Sequence, residues 1–208
     1  IAKLKGKFNQ VNCRPIVTNV QTLETSLDKA NLYDFFSKNN LIPMMKYHVV
    51  NTVEDFEVGL IKLKGLSLCV KPSIGSGSRG FAFLDEKPIG VEDFFYSKMQ
   101  FLKFSVEQFR NMLSVEGAIP KFLLMEVLDG THYDSNMICK DGEIIFQSIR
   151  TREAAALGTI TKATVVSVPE IEDTNAKIAK ALNTSGYVCT QYIGNKLIEI
   201  NPRWSTSL

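Results

Sequence analysis

The chain has 208 residues, 45% hydrophobic and 22% charged, with 13 Gly and 7 Pro, an ordinary globular composition that excludes disordered, collagen-like and disulfide-rich classes. Twenty-four Lys and Arg against 22 Asp and Glu leave a net charge of +2, which excludes a nucleic-acid binder working through a basic surface. The length allows one large or two small domains.

In chain order, residues 26 to 40 offer Ser26 as a cap and Leu27, Leu32, Phe35 and Phe36 at helical spacing, so a helix is expected there. Thr52 followed by Asp55 has the form of a capping box, and Val53, Phe56, Leu60 and Ile61 continue it as a second helix. Residues 66 to 72 read as a strand stopped by Pro72, and 81 to 84 as its successor across a Gly/Ser stretch. The segment 85 to 104 is aromatic and irregular; Phe94, Phe95, Tyr96, Phe101 and Phe104 read as core or an interface patch. Ser105 opens a helix through Val106, Phe109, Met112 and Leu113, and Phe122 to Val127 is a buried-type strand. Residues 135 to 140 and 143 to 148 flank Asp141-Gly142 as a tight hairpin. A helix over 172 to 183 precedes a last hairpin, 188 to 193 with 197 to 200, around Gly194-Asn195. Helices and hairpins mix without βαβ regularity, which predicts an α+β fold.

Cys13, Cys69, Cys139 and Cys189 are spaced too widely for zinc or redox pairs and read as reduced, mostly buried thiols. No window approaches the roughly 18 apolar residues of a membrane span, and the opening residues lack the apolar run of a signal peptide, so the cytoplasm is the default compartment. The chain begins without Met and stops at Leu208, just after a polar segment, and both ends are expected to be incomplete.

Three segments could carry chemistry. In Lys71-Pro72-Ser73-Ile74-Gly75-Ser76-Gly77-Ser78-Arg79-Gly80, small residues expose backbone N–H groups beside a cation, which suits a polyphosphate. A flexible connection has the same signature, and no Gly-Lys-Ser/Thr closes the loop as in a Walker motif. In Glu199-Ile200-Asn201-Pro202-Arg203, alternation places Glu199 and Asn201 on one strand face, and Gln191 on the neighbouring strand can lie opposite or diagonal to Glu199. One carboxylate with two amide carbonyls is a hard-oxygen set suited to Mg²⁺; the bland alternative is a solvated strand face. Leu124-Met125-Glu126-Val127-Leu128-Asp129-Gly130 is either a plain core strand or a hinge whose backbone and Glu126 meet a purine edge. Arg150 and Arg152 share a face and could hold an anion or form salt bridges, and His48, without a His, Cys or Ser partner, reads as a packed histidine.

In this order the three segments resemble the ATP-grasp fold, most closely the ATP-binding domains of the carbamoyl-phosphate synthase large subunit and similar carboxylate-amine ligases. The likeness spans about 28 to 208, anchored on Asp28-Lys29, Leu41-Ile42-Pro43, Val70 to Ser73 with the glycine loop, Leu123 to Glu126, and Ile198 to Arg203. It implies two α+β lobes gripping ATP between antiparallel sheets: a remnant of a mostly absent Rossmann-like lead-in domain at 1–28, a connecting helix at 29–43, a small lobe at 44–125 and a large lobe at 126–208. It also implies that Lys29 and Lys71 contact phosphates while Ser73, Gly75, Ser76, Gly77 and Gly80 close over them, and that Glu126, Val127 and Leu128 receive the adenine. Gln191, Glu199 and Asn201 would hold Mg²⁺ or Mn²⁺, with Arg203 and Lys71 catalytic. His132 stands where relatives carry an acidic residue that holds the ribose, with Asp134 nearby, and Trp204 to Leu208 replaces the synthase's continuation, which argues against carbamoyl-phosphate synthase itself. The implied activity is an ATP- and Mg-dependent ligase that activates a carboxylate as an acyl phosphate for attack by an amine. The alternative is an ATP-binding regulatory or structural module of the same fold. Small-molecule carboxylate and amine substrates are the expected partners, with no nucleic acid or membrane and with a homodimer as the allowed assembly.

Overall fold

A computed structural model describes residues 1–75, 77, 79–85, 102–115, 118–156 and 159–203. Its contacts divide the chain into one unit of residues 45–128 and another formed by 1–44 together with 129–208. The segments 1–28 and 29–43, expected as a remnant and a connector, thus share a unit with the C-terminal residues. Ser76, Phe94, Phe95, Tyr96, Phe101 and Trp204 to Leu208 lie outside the described residues.

The unit 45–128 is a five-stranded sheet in the order β1 (Tyr47–Val50), β5 (Phe122–Glu126), β2 (Leu68–Pro72), β3 (Ala82–Asp85), β4 (Leu102–Ser105). Only the β3–β4 pair is parallel. Helix α4 (Val53–Lys62) starts at the expected capping box: Thr52 accepts from the Asp55 N–H, and the Asp55 carboxylate accepts from the Thr52 N–H. Helix α5 (Val106–Val115) follows Ser105, whose hydroxyl accepts from the Gln108 N–H at 3.0 Å while the Gln108 side chain accepts from the Ser105 N–H at 2.9 Å. Phe56, Phe109 and Phe122 form a triangle with ring centroids 5.6, 5.7 and 6.3 Å apart at the centre of a core that includes Val50, Leu68, Val70, Leu84 and Leu124. Such aromatic pairs add about 0.5–1.5 kcal/mol each beyond their buried area. Alternation puts Leu68 and Val70 in this core and turns Cys69 and Lys71 to the other face of the sheet. Burial pushes the Cys69 thiol up to about 12, against the opposing effect of the Lys71 charge, consistent with a reduced, inert thiol.

The other unit is built on a sheet in the order β10 (Val165–Val166), β7 (Glu143–Thr151), β6 (His132–Lys140), β11 (Gly186–Ile193), β12 (Lys196–Asn201), antiparallel throughout, with a small hairpin of β8 (Ala154–Ala156) and β9 (Thr159–Lys162). Both expected hairpins are present and are longer than their apolar stretches; Asp141 and Gly142 turn the first at φ 50° and 85°. Helix α6 runs Pro169–Ala181, three residues earlier than the apolar pattern indicated, because Pro169 is preorganised for a first helical turn.

The helix expected over 26–40 is present as α3 (Lys29–Lys38), starting three residues later, and a separate helix, α2 (Val20–Leu27), precedes it. Ser26 is not the cap: its hydroxyl donates to the Thr22 carbonyl inside α2. Asp28 caps α3, accepting from the Ala30 and Asn31 N–H groups at 3.0 and 3.3 Å, since a carboxylate satisfies the orphan donors of a helix start better than a hydroxyl already bonded backwards. The cap of α2 is Asn19, which accepts from the Thr22 N–H at 2.7 Å and donates to the Leu182 carbonyl at 3.1 Å beyond α6. A short 3-10 turn, Ala2–Leu4, and α1 (Lys5–Gln10) precede them. Among the described residues no helix is long and apolar enough to cross a membrane, and Cys13 is the exposed thiol while Cys69, Cys139 and Cys189 are buried.

Candidate functional site

The two faces of the β6–β11–β12 sheet have separate jobs. Ser135, Thr190 and Tyr192 point toward α6, where buried Asn175 satisfies all of them. Its amide donates to the Ser135 hydroxyl at 2.9 Å and the Gln147 side chain at 3.2 Å. Its carbonyl accepts from the Thr190 and Tyr192 hydroxyls at 2.8 and 2.7 Å. Burial drives the Tyr192 phenol well above its usual range. A buried polar network with every donor and acceptor used locks one arrangement of helix on sheet, and so fixes which residues of β11 point the other way.

Those residues are the expected metal donors. Gln191 lies directly opposite Glu199 in the β11–β12 register, and Asn201, two residues on, shares their face. The same rung continues to Asp134 on β6 and Arg150 on β7, so Arg150, Asp134, Gln191 and Glu199 form one polar row across four strands. The next rung carries Ser148, Asn136, Cys189 and Asn201. Lys29, the first residue of α3, is 3% exposed and places its Nζ 3.7 Å from Glu199 Oε1. The N-terminal turn of a helix disfavours a cation and lysine is almost never buried without a partner, so the Glu199 carboxylate is what offsets this placement. Helix α3 is held against β12 by the Tyr33 hydroxyl, which donates to the Ile198 carbonyl at 2.8 Å. Arg203 follows on the exposed side of the strand end, its N–H donating to the Asn201 carbonyl at 2.8 Å.

Asp134 is a site residue that pattern reading gave no role of its own. It is 1% exposed and takes both its oxygens to Arg152 Nη2 at 3.2 Å. Of the two readings of Arg152, the salt bridge is the one present, with a buried partner. His132, at the start of β6, has its imidazole pKa lowered by burial and by Arg152, with Asp134 acting in the opposite sense. Pairing an aspartate in strand order with its register partner Gln191 was the signal available in the sequence.

In the unit 45–128, Lys71 stands beside Leu123 on the sheet face opposite the core cluster. The loop after it is shaped by Pro72 and Ser73: the Ser73 N–H donates to the Lys121 carbonyl at 3.1 Å and its side chain is buried. Gly80 sits at φ 72° with a hypothetical Cβ 2.6 Å from Pro72 Cγ, so only glycine fits there. Gly77 is also at positive φ, 67°, with open space around it, and Gly75 is in ordinary contact with Pro72. Glu126 lies at the opposite end of β5, and its carboxylate accepts from the Lys46 N–H at 2.9 Å while its own N–H donates to the Lys46 carbonyl. Lys71 and Glu126 leave the sheet on opposite faces, so their side chains are not brought together. The Val127 N–H is taken by the Ser67 carbonyl at 2.8 Å, and Leu128 ends the unit.

Among the described residues no cluster of three His, Cys, Asp or Glu exists, which excludes the described faces from a zinc-type site. One carboxylate and two amides on the β11–β12 face fit a hard ion with retained waters, and with Lys29 beside Glu199 the face carries little net negative charge, so phosphate oxygens must supply the rest.

No family profile matches the sequence, and neither does any curated protein sequence. Solved structures do match. The biotin carboxylase–β,γ-ATP complex from Campylobacter jejuni aligns with 99% of this chain at a TM-score of 0.69 and 14% identity. The ADP complex of PurK, N5-carboxyaminoimidazole ribonucleotide synthetase, aligns with all of it at 0.67 and 13% identity. The D-alanine–D-alanine ligase from Bacillus anthracis complexed with ATP aligns with 97% of it at 0.60 and 16% identity. The chain spans 46%, 52% and 63% of the length of these three proteins.

Proposed function

Because this chain has the ATP-grasp fold, we propose that it binds ATP with Mg²⁺ or Mn²⁺ and is the nucleotide-binding part of a ligase that phosphorylates a carboxylate for displacement by an amine. The observation that carries this reading is the facing pair Gln191 and Glu199, with Asn201 beside them and buried Lys29 at 3.7 Å. The similarity to ligases solved with ATP or ADP supports the nucleotide, and the facing oxygen donors support the metal.

In this reading Gln191, Glu199 and Asn201 would hold the metal, which when bound would neutralise phosphate charge. Phosphoryl transfer otherwise asks for in-line positioning and fixed charge. Within the unit 45–128, Lys71 with Gly75, Gly77 and Gly80 would serve phosphates; within the other unit, Lys29 would add a cation beside Glu199 and Arg203 would steady the group in transfer. Because the Glu126 carboxylate accepts from the Lys46 N–H and the Val127 N–H is taken by the Ser67 carbonyl, adenine recognition at this segment falls to the Val127 carbonyl and the backbone of Leu128. Leu68 to Pro72 pairs with Glu126 to Phe122, so four rungs, about 13 Å, separate the hinge end from the loop end, a span suited to an extended nucleotide.

The test is calorimetric titration with a non-hydrolysable ATP analogue, with and without Mg²⁺, on the wild type and on Glu199→Ala. Binding that needs Mg²⁺ and weakens in the variant supports the reading, while a folded wild type that takes up no nucleotide overturns it. In turnover, Lys71→Ala and Glu199→Ala should each cost about 10²–10³ in rate, as loss of a preorganised charge does.

A further inference from the structure

Asn136 is 4% exposed, yet its Oδ1 is fully buried and accepts no hydrogen bond from the described residues. Buried acceptors are rarely left without a donor, and each such case needs a cause. The contrast with Asn175 on the other face of the same sheet is direct, since all four of its hydrogen-bonding positions are used. Asn136 pairs with Cys189, and Cys189 with Asn201, so Asn136 belongs to the face of Gln191, Glu199 and Asn201, one residue pair along from the Asp134–Gln191–Glu199 row.

We propose that Asn136 is a positioning residue for the divalent ion: its Oδ1 accepts a hydrogen bond from a water that the ion retains at the Gln191, Glu199 and Asn201 face. The inference rests on the nucleotide and metal reading above. Two strand spacings separate Asn136 from Asn201, about 9–10 Å, too far for both amides to touch one ion comfortably. An ion about 2.1 Å from its nearest oxygens that keeps several waters fills that gap with a water whose proton meets the orphaned oxygen. Partners of this outer kind orient a metal's ligands, and their loss costs about 10–100-fold in metal affinity. Two neighbouring groups on the face are already committed or wrong for the task. Asp134 is held by Arg152, and the Cys189 thiol between the two asparagines is a weak, soft partner for a hard ion's water.

The experiment measures Mn²⁺ binding by electron paramagnetic resonance on the full chain, with a non-hydrolysable ATP analogue present, for wild type, Asn136→Leu and Asn136→Asp, together with thermal melts without ligand. Asn136→Leu should weaken Mn²⁺ about 10–100-fold. It should also melt at the same or a higher temperature, because it removes a buried oxygen that nothing satisfies. Asn136→Asp, which keeps an acceptor, should bind Mn²⁺ within a few-fold of wild type. Undiminished Mn²⁺ binding by Asn136→Leu overturns the proposal. A lowered melting temperature for that variant overturns it too, because Asn136 would then be a packing residue. If the wild type binds nucleotide but no Mn²⁺, the metal assignment falls with it; if it binds neither, the function itself is wrong.

Discussion

Replacing Asn175 with leucine tests whether the helix–sheet clamp beneath the metal face is what holds β11 in place. The substitution nearly preserves volume and removes four hydrogen bonds, two donated and two accepted. Their fates differ. Gln147 is half-buried and returns to water, while Ser135 and Thr190 face each other across β6 and β11 and can turn to bond one another. The Tyr192 hydroxyl, in a residue with no exposed surface, has only the Thr190 hydroxyl left beside it, and Ser135 competes for that group, so one buried hydroxyl of the three is stranded. A stranded buried hydroxyl costs about 1–3 kcal/mol and each lost net hydrogen bond about 0.5–1.5 kcal/mol, partly offset by the apolar side chain. The expected loss is about 2–4 kcal/mol, or a melting temperature lowered by roughly 5–15 °C for a chain of this size. Urea unfolding followed by near-ultraviolet circular dichroism gives the number. A loss below about 1 kcal/mol would mean that the network is not what locks helix to sheet, and the argument that it orients Gln191 would go with it.

Three further outcomes follow from other contacts. Gly80→Ala should strain the loop by about 1–3 kcal/mol, from its positive φ and from the 2.6 Å approach to Pro72, and weaken nucleotide analogue binding in the calorimeter; an alanine variant that binds and melts like wild type would refute the account of the loop. His48, packed under Gly59 with its Nε2 buried and unbonded, has its pKa lowered by burial and by Lys62 against the effect of Asp55. A depressed folded-state value contributes stability above the unfolded pKa of about 6.5 that is lost as pH falls through the folded pKa, so His48→Leu should flatten the fall in unfolding free energy between pH 7 and 5, and an unchanged slope counts against it. Glu57, whose carboxylate receives both Arg110 Nε and Nη2 between α4 and α5, is nearly half exposed, so Glu57→Gln should cost less than about 1 kcal/mol by denaturant titration.

How much of this was legible beforehand depended on sequence distance. The capping box at Thr52 and Asp55 and the hairpin at Asp141 and Gly142 are local chemistry and were readable. The facing of Gln191 and Glu199 was readable as well, because one short turn leaves few registers. Ser26 misled because a serine that bonds back into its own helix looks the same in sequence as one that caps the next. Asn136 and Asn175 were invisible for a different reason. An asparagine within an apolar strand or helix announces nothing until strands 40 or more residues apart are paired around it. The soft point of the pattern was the hinge glutamate: Glu126 was noticed, but its direction off the sheet was set by parity along β5 and by the Lys46 backbone.

The division of the chain, with residues 45–128 forming a unit inside the sequence of the other, has a consequence for biosynthesis. The contacts that seat the first helices, Asn19 on Leu182 and Tyr33 on Ile198, join residues 163 and 165 positions apart. On a ribosome adding residues from the N-terminus, those helices emerge early and must wait, undocked, until the last hairpin has been made. The unit 45–128 has all of its partners available far sooner. Closing the long loop is cheaper if the inserted unit has already folded, because the slack to be ordered is then shorter. The lysine beside Glu199 is therefore synthesised well before its partner and finds its place only after that partner has been made.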